Sequence, residues 1–266
     1  MFRVWMALAV VAFCGVARGQ APLYSAASIV NASDYSPGPF APNSVLTIFG
    51  SNLANIPVTS AGVGLTQQNI NSGTLPLELA SISVYIDSSQ VPLLYASSTQ
   101  INFLVPTSQV AGDVQVWVVR QSFTGPKVTI TLANTAPALF PSTDHFAAAQ
   151  DFEANYAAVT AAAPAQPGDL IVLYATGLGA TQPLPETGEI PKTAGLIVPA
   201  AFASLQVLLN GNAIDPRTMF YAGMTPGFAG LYQVNFFLPG NCPPNPQIQL
   251  AIGQQISAAG IMLAVQ

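Results

Sequence analysis

In Val114-Gln115-Val116-Trp117-Val118 every second residue is a valine, and Val128-Thr129-Ile130-Thr131-Leu132 keeps the same two-residue period. That is the period of a strand with one buried face, because successive side chains point to opposite sides. The stretches "SSQ", "NGN" and "SFTGPK" read as turns, and Asn210-Gly211 is a pair that tolerates the positive φ angles of a two-residue hairpin. Beyond the first nineteen residues nothing sustains a helical stripe. The alanine-rich run 147–163 has room for a helical turn, which Pro164 and Pro167 then stop. Short strands between turns predict an all-β chain of the sandwich type.

The pattern occurs twice. "PNSVLTIFGSNLA" at 42–54 returns as "PGDLIVLYATGLG" at 167–179, an offset of 125. "SVYIDSSQVPLLYA" returns as "QVLLNGNAIDPRTMFYA", and "QINFLVP" at 100–106 as "QVNFFLP" at 233–239. "GDVQVWVVRQ" then matches "PQIQLAIGQQ", and "KVTITLA" matches "GIMLAVQ" loosely. The expected organisation is therefore a signal peptide at 1–19 and two tandem immunoglobulin-like β-sandwiches at 20–140 and 141–266. A unit of about 120 residues suits that fold.

Only 6% of the 266 residues are charged, against 51% hydrophobic, with 23 Pro and 21 Gly. Such a chain is not a disordered solvating polymer; its Pro and Gly punctuate many short elements. Arg3, the apolar run 4–16 and the small residues of Ala17-Arg18-Gly19 have the order of an export signal, with cleavage expected before Gln20. The run is too short to span a bilayer comfortably, so no membrane span is expected after cleavage. Cleavage leaves four basic residues, Arg120, Lys127, Lys192 and Arg217, against eleven acidic ones. Four scattered cations make no basic patch, which excludes nucleic acid and makes an anionic membrane surface unattractive. Cleavage also removes Cys14 and leaves Cys242 without a disulfide partner; its "GNCPPNP" setting predicts a free thiol in a surface turn.

The series "NSVLTIFGSNLA", "PLLYASSTQINFLVP", "LYATGLGATQP" and "YAGMTPGFAGLYQVNFFLP" resembles the Solibacter-type C-terminal domain, a family of exported acidobacterial modules. Each half also resembles, more loosely, the IPT/TIG group of immunoglobulin-like domains. The resemblance implies secretion and tandem β-sandwiches, usually behind other domains, whereas here the module follows the signal directly. It implies no catalytic residues. "QDFEAN" stands where the family tends to carry an Asn-x-Asp-Gly turn.

Candidate chemistry is sparse. "LPETG" at 184–188 spells a sortase motif, but it lacks the C-terminal setting that sorting needs, and a Pro/Gly turn is expected. His145 is the only histidine, and Ser142 and Asp144 lie too near it in sequence for a hydrolytic triad. Asp151, Glu153 and Asn155 begin like a calcium loop but lack its glycine and closing glutamate, so no cofactor is expected and calcium stays a minor alternative. Glu78, Glu153, Glu186 and Glu189 share no motif of a glycoside hydrolase.

Gln100 and Asn102, like Gln233 and Asn235, share a strand face, and their recurrence predicts a structural task, bonding loop backbone at a sandwich edge. Trp117 is a candidate for stacking on a sugar. The second copy has extra residues in "GMTPGFAGLY", where Met224, Phe228 and Tyr232 are candidate binding residues, with Phe228 either folded onto the seam between the halves or presented to a partner. The reading that follows is a secreted or periplasmic, cell-surface adhesive or structural module, non-enzymatic, with an extracellular protein or glycan as partner. A carbohydrate-binding module is the alternative, and a glycan-active or other hydrolase the third.

Overall fold

The computed structural model describes residues 20–193, 198–199 and 202–266. The signal expected at 1–19 lies outside the described residues. From Gln20 onward the chain forms two β-sandwiches in tandem, the all-β, immunoglobulin-like architecture expected from the strand spacing.

In the first, the strands Ile29–Asn31, Val45–Phe49, Gln100–Leu104, Leu93–Ala96 and Val63–Gly64 form one sheet in that order. It faces a sheet of Val128–Leu132, Gly112–Arg120, Ile82–Ile86 and Ser89–Val91. In the second, Ala157–Ala158, Ala149–Asp151, Leu170–Thr176, Tyr232–Phe237 and Met219–Met224 face Asn212–Ala213, Leu205–Leu209, Ile248–Ile252 and Gln255–Ile256. All these neighbours pair antiparallel. Ile101, Phe103, Val84 and Val116 meet in one core, and Val234, Phe236, Val207 and Leu250 hold the matching places in the other. Each such side chain, fully buried, contributes roughly 1.5–3 kcal/mol.

The repeat extends to single hydrogen bonds. Asn43 N–H donates to Val105 O (2.9 Å) and Val105 N–H to Ser44 O (2.9 Å); Gly168 N–H to Leu238 O (3.0 Å) and Leu238 N–H to Asp169 O (2.9 Å) repeat them. The parallel bridge Phe40 to Leu132 recurs as Ala165 to Val265. Each half also carries a bulge in the same place, between Leu93 and Tyr95 and between Met219 and Tyr221. Asn210 and Gly211, both at positive φ, close the expected hairpin.

Three local expectations change. The strand Ala138–Leu139, placed in the first unit by the expected bound at 140, pairs with Leu170–Thr176 and adds Leu139 to the second core, so the second sandwich begins earlier than expected. The run 147–163 holds no helix; it contributes the strands Ala149–Asp151 and Ala157–Ala158, because Ala149 has a core place opposite Leu173. The short helix Gln67–Ser72 was not anticipated, although Thr66 and Asn69 cap it reciprocally and Gly73 ends it at φ 76°.

A fixed seam joins the halves. Val45, Leu75 and Leu104 of the first pack with Ile190 and Ala229 of the second. Leu75 N–H donates to Gly188 O (2.8 Å) and Ile190 N–H to Gly73 O (2.9 Å), so the "LPETG" turn is tied to the first sandwich. Asn43 Nδ2 donates to Tyr232 Oη (2.9 Å), which donates to Gly179 O (2.5 Å). Burial pushes the Tyr232 phenol above its ordinary range. Glycines allow the close approach. A Cβ on Gly177 would lie 1.9 Å from Ala136 O, and one on Gly230 would lie 2.6 Å from Leu104 Cδ1.

Candidate interaction surface

The extra residues of the second copy extend the hairpin between Met219–Met224 and Tyr232–Phe237 to the seam. Met224 is 1% exposed and Tyr232 wholly buried, so neither offers surface to a partner: both are core residues. Phe228 corrects the other expectation, that it folds onto the seam. Ala229 and Gly230 fill that place, Gly227 N–H donates to Pro191 O (2.7 Å), and the Phe228 ring points away, 60% exposed.

Trp117 is half-buried and both its neighbours along the sheet are engaged with it. Tyr85 stacks on it at 5.3 Å between centroids, and Lys127 Nζ lies 4.2 Å from its ring centre. Tyr85 and Lys127 come from opposite sides of the Gly112–Arg120 strand, so the ring is already engaged by protein from both sides of its strand. The Asp151 carboxylate accepts from the N–H groups of Glu153 (2.9 Å) and Ala154 (3.2 Å), and Asn155 turns the chain at φ 57°. Asp151, Glu153 and Asn155 thus build a turn closed on its own backbone, and no cluster of three metal-ligating residues of the His, Cys, Asp or Glu type occurs among the described residues. His145 is exposed, and Ser142 Oγ donates to Phe146 O (3.0 Å) rather than towards an imidazole. Cys242 is buried rather than in an open turn; it packs in the second core, and burial raises its thiol pKa.

Gln100 and Asn102 bond side chains in the middle of a sheet, not loop backbone at an edge. Gln100 Nε2 (2.9 Å) and Thr47 Oγ1 (3.1 Å) both donate to Asn102 Oδ1. In the second copy Val172 replaces Thr47, and Asn235 Oδ1, in a residue 7% exposed, has no hydrogen-bond partner. Asn235 therefore stands beside Gln233 without the network that its counterpart has.

Alternation makes a face of the surroundings. Val234 and Phe236 turn to the core, so Gln233, Asn235 and Phe237 turn outward; on the next strand Leu170, Val172 and Tyr174 do the same. Register aligns Gln150, Val172, Asn235 and Tyr221 in one row and Tyr174 with Gln233 in the next. Leu170 lies opposite Phe237, and Phe152 N–H donates to Leu170 O (2.9 Å). The bulge residue Phe220 stands at the far edge, 71% exposed, with Phe237 at 39%. At the other edge Tyr156 meets Phe152 edge-on, 5.1 Å between ring centres.

Hydrogen bonds order this face. Tyr174 Oη donates to Gln150 Oε1 (2.6 Å), and burial, then the nearby Tyr156 phenol, raise the Tyr174 pKa. None of the side chains in these rows is charged. Two acids near the rim are engaged locally: Asp169 accepts from Gln166 N–H (2.6 Å), and Asp215 pairs with Arg217 (2.6 Å), whose hydrogen bonds lower its pKa to about 2. Glu153, after Phe152, is exposed. Sequence reasoning missed Phe220 and Phe237 because it treated the twin strands as equivalent; the signal was that aromatic rings replace Leu94 and Leu104 of the first copy.

At the centre of this face Leu170, Val172 and Asn235 are buried, and the exposed rings stand at its two edges. The fold and face thus define a tandem immunoglobulin-like protein whose C-terminal sheet carries exposed aromatic rings at its edges. Residues 31–135 match the model of the IPT/TIG domain, the looser of the two resemblances drawn from the sequence. No curated protein matches the chain. Among solved structures, it is similar to the surface glycan-binding protein PbSGBP-B from Prevotella bryantii at 10% identity, covering 92% of this chain and 42% of that one, with a TM-score of 0.28. The Bacteroides ovatus mixed-linkage glucan utilization locus SGBP-B, solved with a mixed-linkage heptasaccharide, matches at 8% identity over 93% of this chain and 46% of its own, TM-score 0.34. Domains 5–6 of the S-layer protein SbsC match at 9% identity, covering 92% and 98% of the two chains, TM-score 0.26. The chain spans less than half the length of the first two.

Proposed function

We propose that this protein is an exported, non-catalytic interaction module whose two joined sandwiches hold out the outer face of the C-terminal sheet. One observation carries the reading: exposed rings at Phe220 and Phe237 occupy repeat positions that the first half closes with protein. Solvent-exposed aromatic area of this kind on a rigid sheet marks an interaction site. The order of charge, apolar run and small residues in 1–19 supports export. No helix among the described residues is long and apolar enough to cross a membrane.

The test is adsorption of the folded protein, beginning at Gln20, to the cell-envelope and matrix fraction of the producing culture. Adsorption that falls in the Phe220→Ala and Phe237→Ala variants, at unchanged melting temperature, supports the reading. Undiminished adsorption puts the contact elsewhere, and an exported fraction that retains Met1 defeats the export argument.

A further inference from the structure

We propose that the outer face of the C-terminal sheet binds a neutral polysaccharide; the inference rests on the interaction-module reading and names the ligand class for the same face. A pyranose ring has an apolar side of C–H groups and a rim of hydroxyls. It is recognised by flat aromatic rings set beside neutral donors and acceptors, and this face offers both in register. Phe220 and Phe237 stand at one edge and Phe152 with Tyr156 at the other, with the half-buried Gln150 and Gln233 in the rows between. Asn235, beside Gln233, is buried and offers its Oδ1 to no ligand. The four strands that carry them span roughly 14 Å at the usual interstrand spacing, enough for a short run of sugar rings.

Charge argues for the same ligand. The chain carries 11 acidic residues, yet no charged side chain stands in these rows; Asp169 is closed onto Gln166 and Asp215 onto Arg217, which leaves Glu153, in the exposed turn after Phe152, as the single acid beside the rings that no side-chain bond engages. One carboxylate and one paired guanidinium make no complementary surface for a polyanion or a cationic peptide, whereas a neutral polyol needs none. One of these amides is also held ready. The bond from Tyr174 Oη fixes Gln150 by its oxygen, which directs its amide nitrogen away from Tyr174. Protein cover has a different appearance in this molecule. Where the first half is covered, its matching positions are the aliphatic Val45, Leu94 and Leu104, packed on Ile190 and Ala229.

The experiment is native affinity electrophoresis of the protein in gels containing mixed-linkage β-glucan, xyloglucan, arabinoxylan or glucomannan, with polygalacturonate as the charged control. Retardation is expected in at least one neutral gel, unchanged by added salt. Phe220→Ala and Phe237→Ala should each weaken it about tenfold, the loss expected of an aromatic hot-spot contact. Phe228→Ala, which removes a ring at the seam end whose exposure lies between those two, should leave it intact. Migration unaffected in all four neutral gels overturns the proposal, as does retardation confined to polygalacturonate, abolished by salt, or indifferent to Phe220 and Phe237. A concentration-dependent dimer that Phe220→Ala dissolves also overturns it, since the face is then a contact between copies. Envelope adsorption that persists while every neutral gel is blank refutes the polysaccharide and leaves the interaction module standing.

Discussion

Val45, Leu94 and Leu104 in the first sandwich and Leu170, Phe220 and Phe237 in the second hold the same places in the repeat, on the same bulged backbone. The first three lie under Ile190 and Ala229 of the following sandwich; Phe220 and Phe237 meet solvent. One framework thus serves once as an internal seam and once as a surface. At two of the three places the side chain changes with the exposure, from leucine under protein to phenylalanine in the open, while Leu170 stays aliphatic and buried like Val45. The difference teaches that duplication preserves hydrogen bonds more faithfully than it preserves what a face is for.

The sharpest way to break the comparison is at Gly177, whose counterpart is Asn52. Both have positive φ, but only Gly177 has the linker carbonyl of Ala136 against it. Gly177→Asn should cost about 3 kcal/mol or more in urea unfolding, and Asn52→Gly under about 0.5 kcal/mol. Equal losses would show that the linker contact does not set the glycine.

Leu104→Ala should cost about 3 kcal/mol, whereas Phe237→Ala at the matching, partly open position should cost less than about 1 kcal/mol. Similar values would mean that the second face is covered in solution. Exchanging the hydroxyl comes next. Thr47→Val removes one donor from Asn102 and should cost about 1 kcal/mol, and Val172→Thr should stabilise by about 0.5–1 kcal/mol by giving Asn235 Oδ1 a partner. A destabilising Val172→Thr would refute the assigned geometry.

The smallest effect concerns Tyr24, which stands where the second half has Leu139. Its hydroxyl donates to Pro126 O (2.6 Å) and accepts from Val118 N–H (2.8 Å), and burial raises its pKa to about 12. A phenol whose folded pKa is raised stabilises fully below its unfolded value near 10 and loses that contribution as the pH climbs from about 10 to about 12. Alkaline titration of stability should therefore slope downward in that window, and the slope should flatten in Tyr24→Phe. An unchanged slope would assign the titration elsewhere.

Strand order and the two cores were legible because alternation in stretches such as 114–118 and 128–132 reports burial directly, and the duplication checks each element against its twin. The seam was less so. "GMTPGFAGLY" advertised a loop by its glycines, but only tertiary contact shows that Ala229 and Gly230 do the packing while Phe228 stays outside. Small residues that permit close approach look the same in sequence as those that merely turn the chain. Trp117 is a related case: alternation puts it opposite the valine face, but it cannot show that Tyr85 from the neighbouring strand and Lys127 from the segment before Val128 meet its ring. The open face escaped notice because its rings come from the segments around 152, 220 and 237, each unremarkable alone.

The near-identity of Gln100–Leu104 and Gln233–Phe237 also has a kinetic side. Each is an interior strand of its sheet and pairs with a neighbour through the same bulge, so in an unfolded chain either strand can be captured by the wrong sheet. Such exchange is a characteristic failure of repeat proteins. The linkers oppose it. Gln100 follows Tyr95-Ala96 after three residues, too short a tether for that hairpin to open towards another sheet, whereas Gln233 trails the long segment that reaches the seam. A chain made from its N-terminus completes the short-tethered hairpin first. By the time Gln233 emerges, the place it might have stolen is already taken.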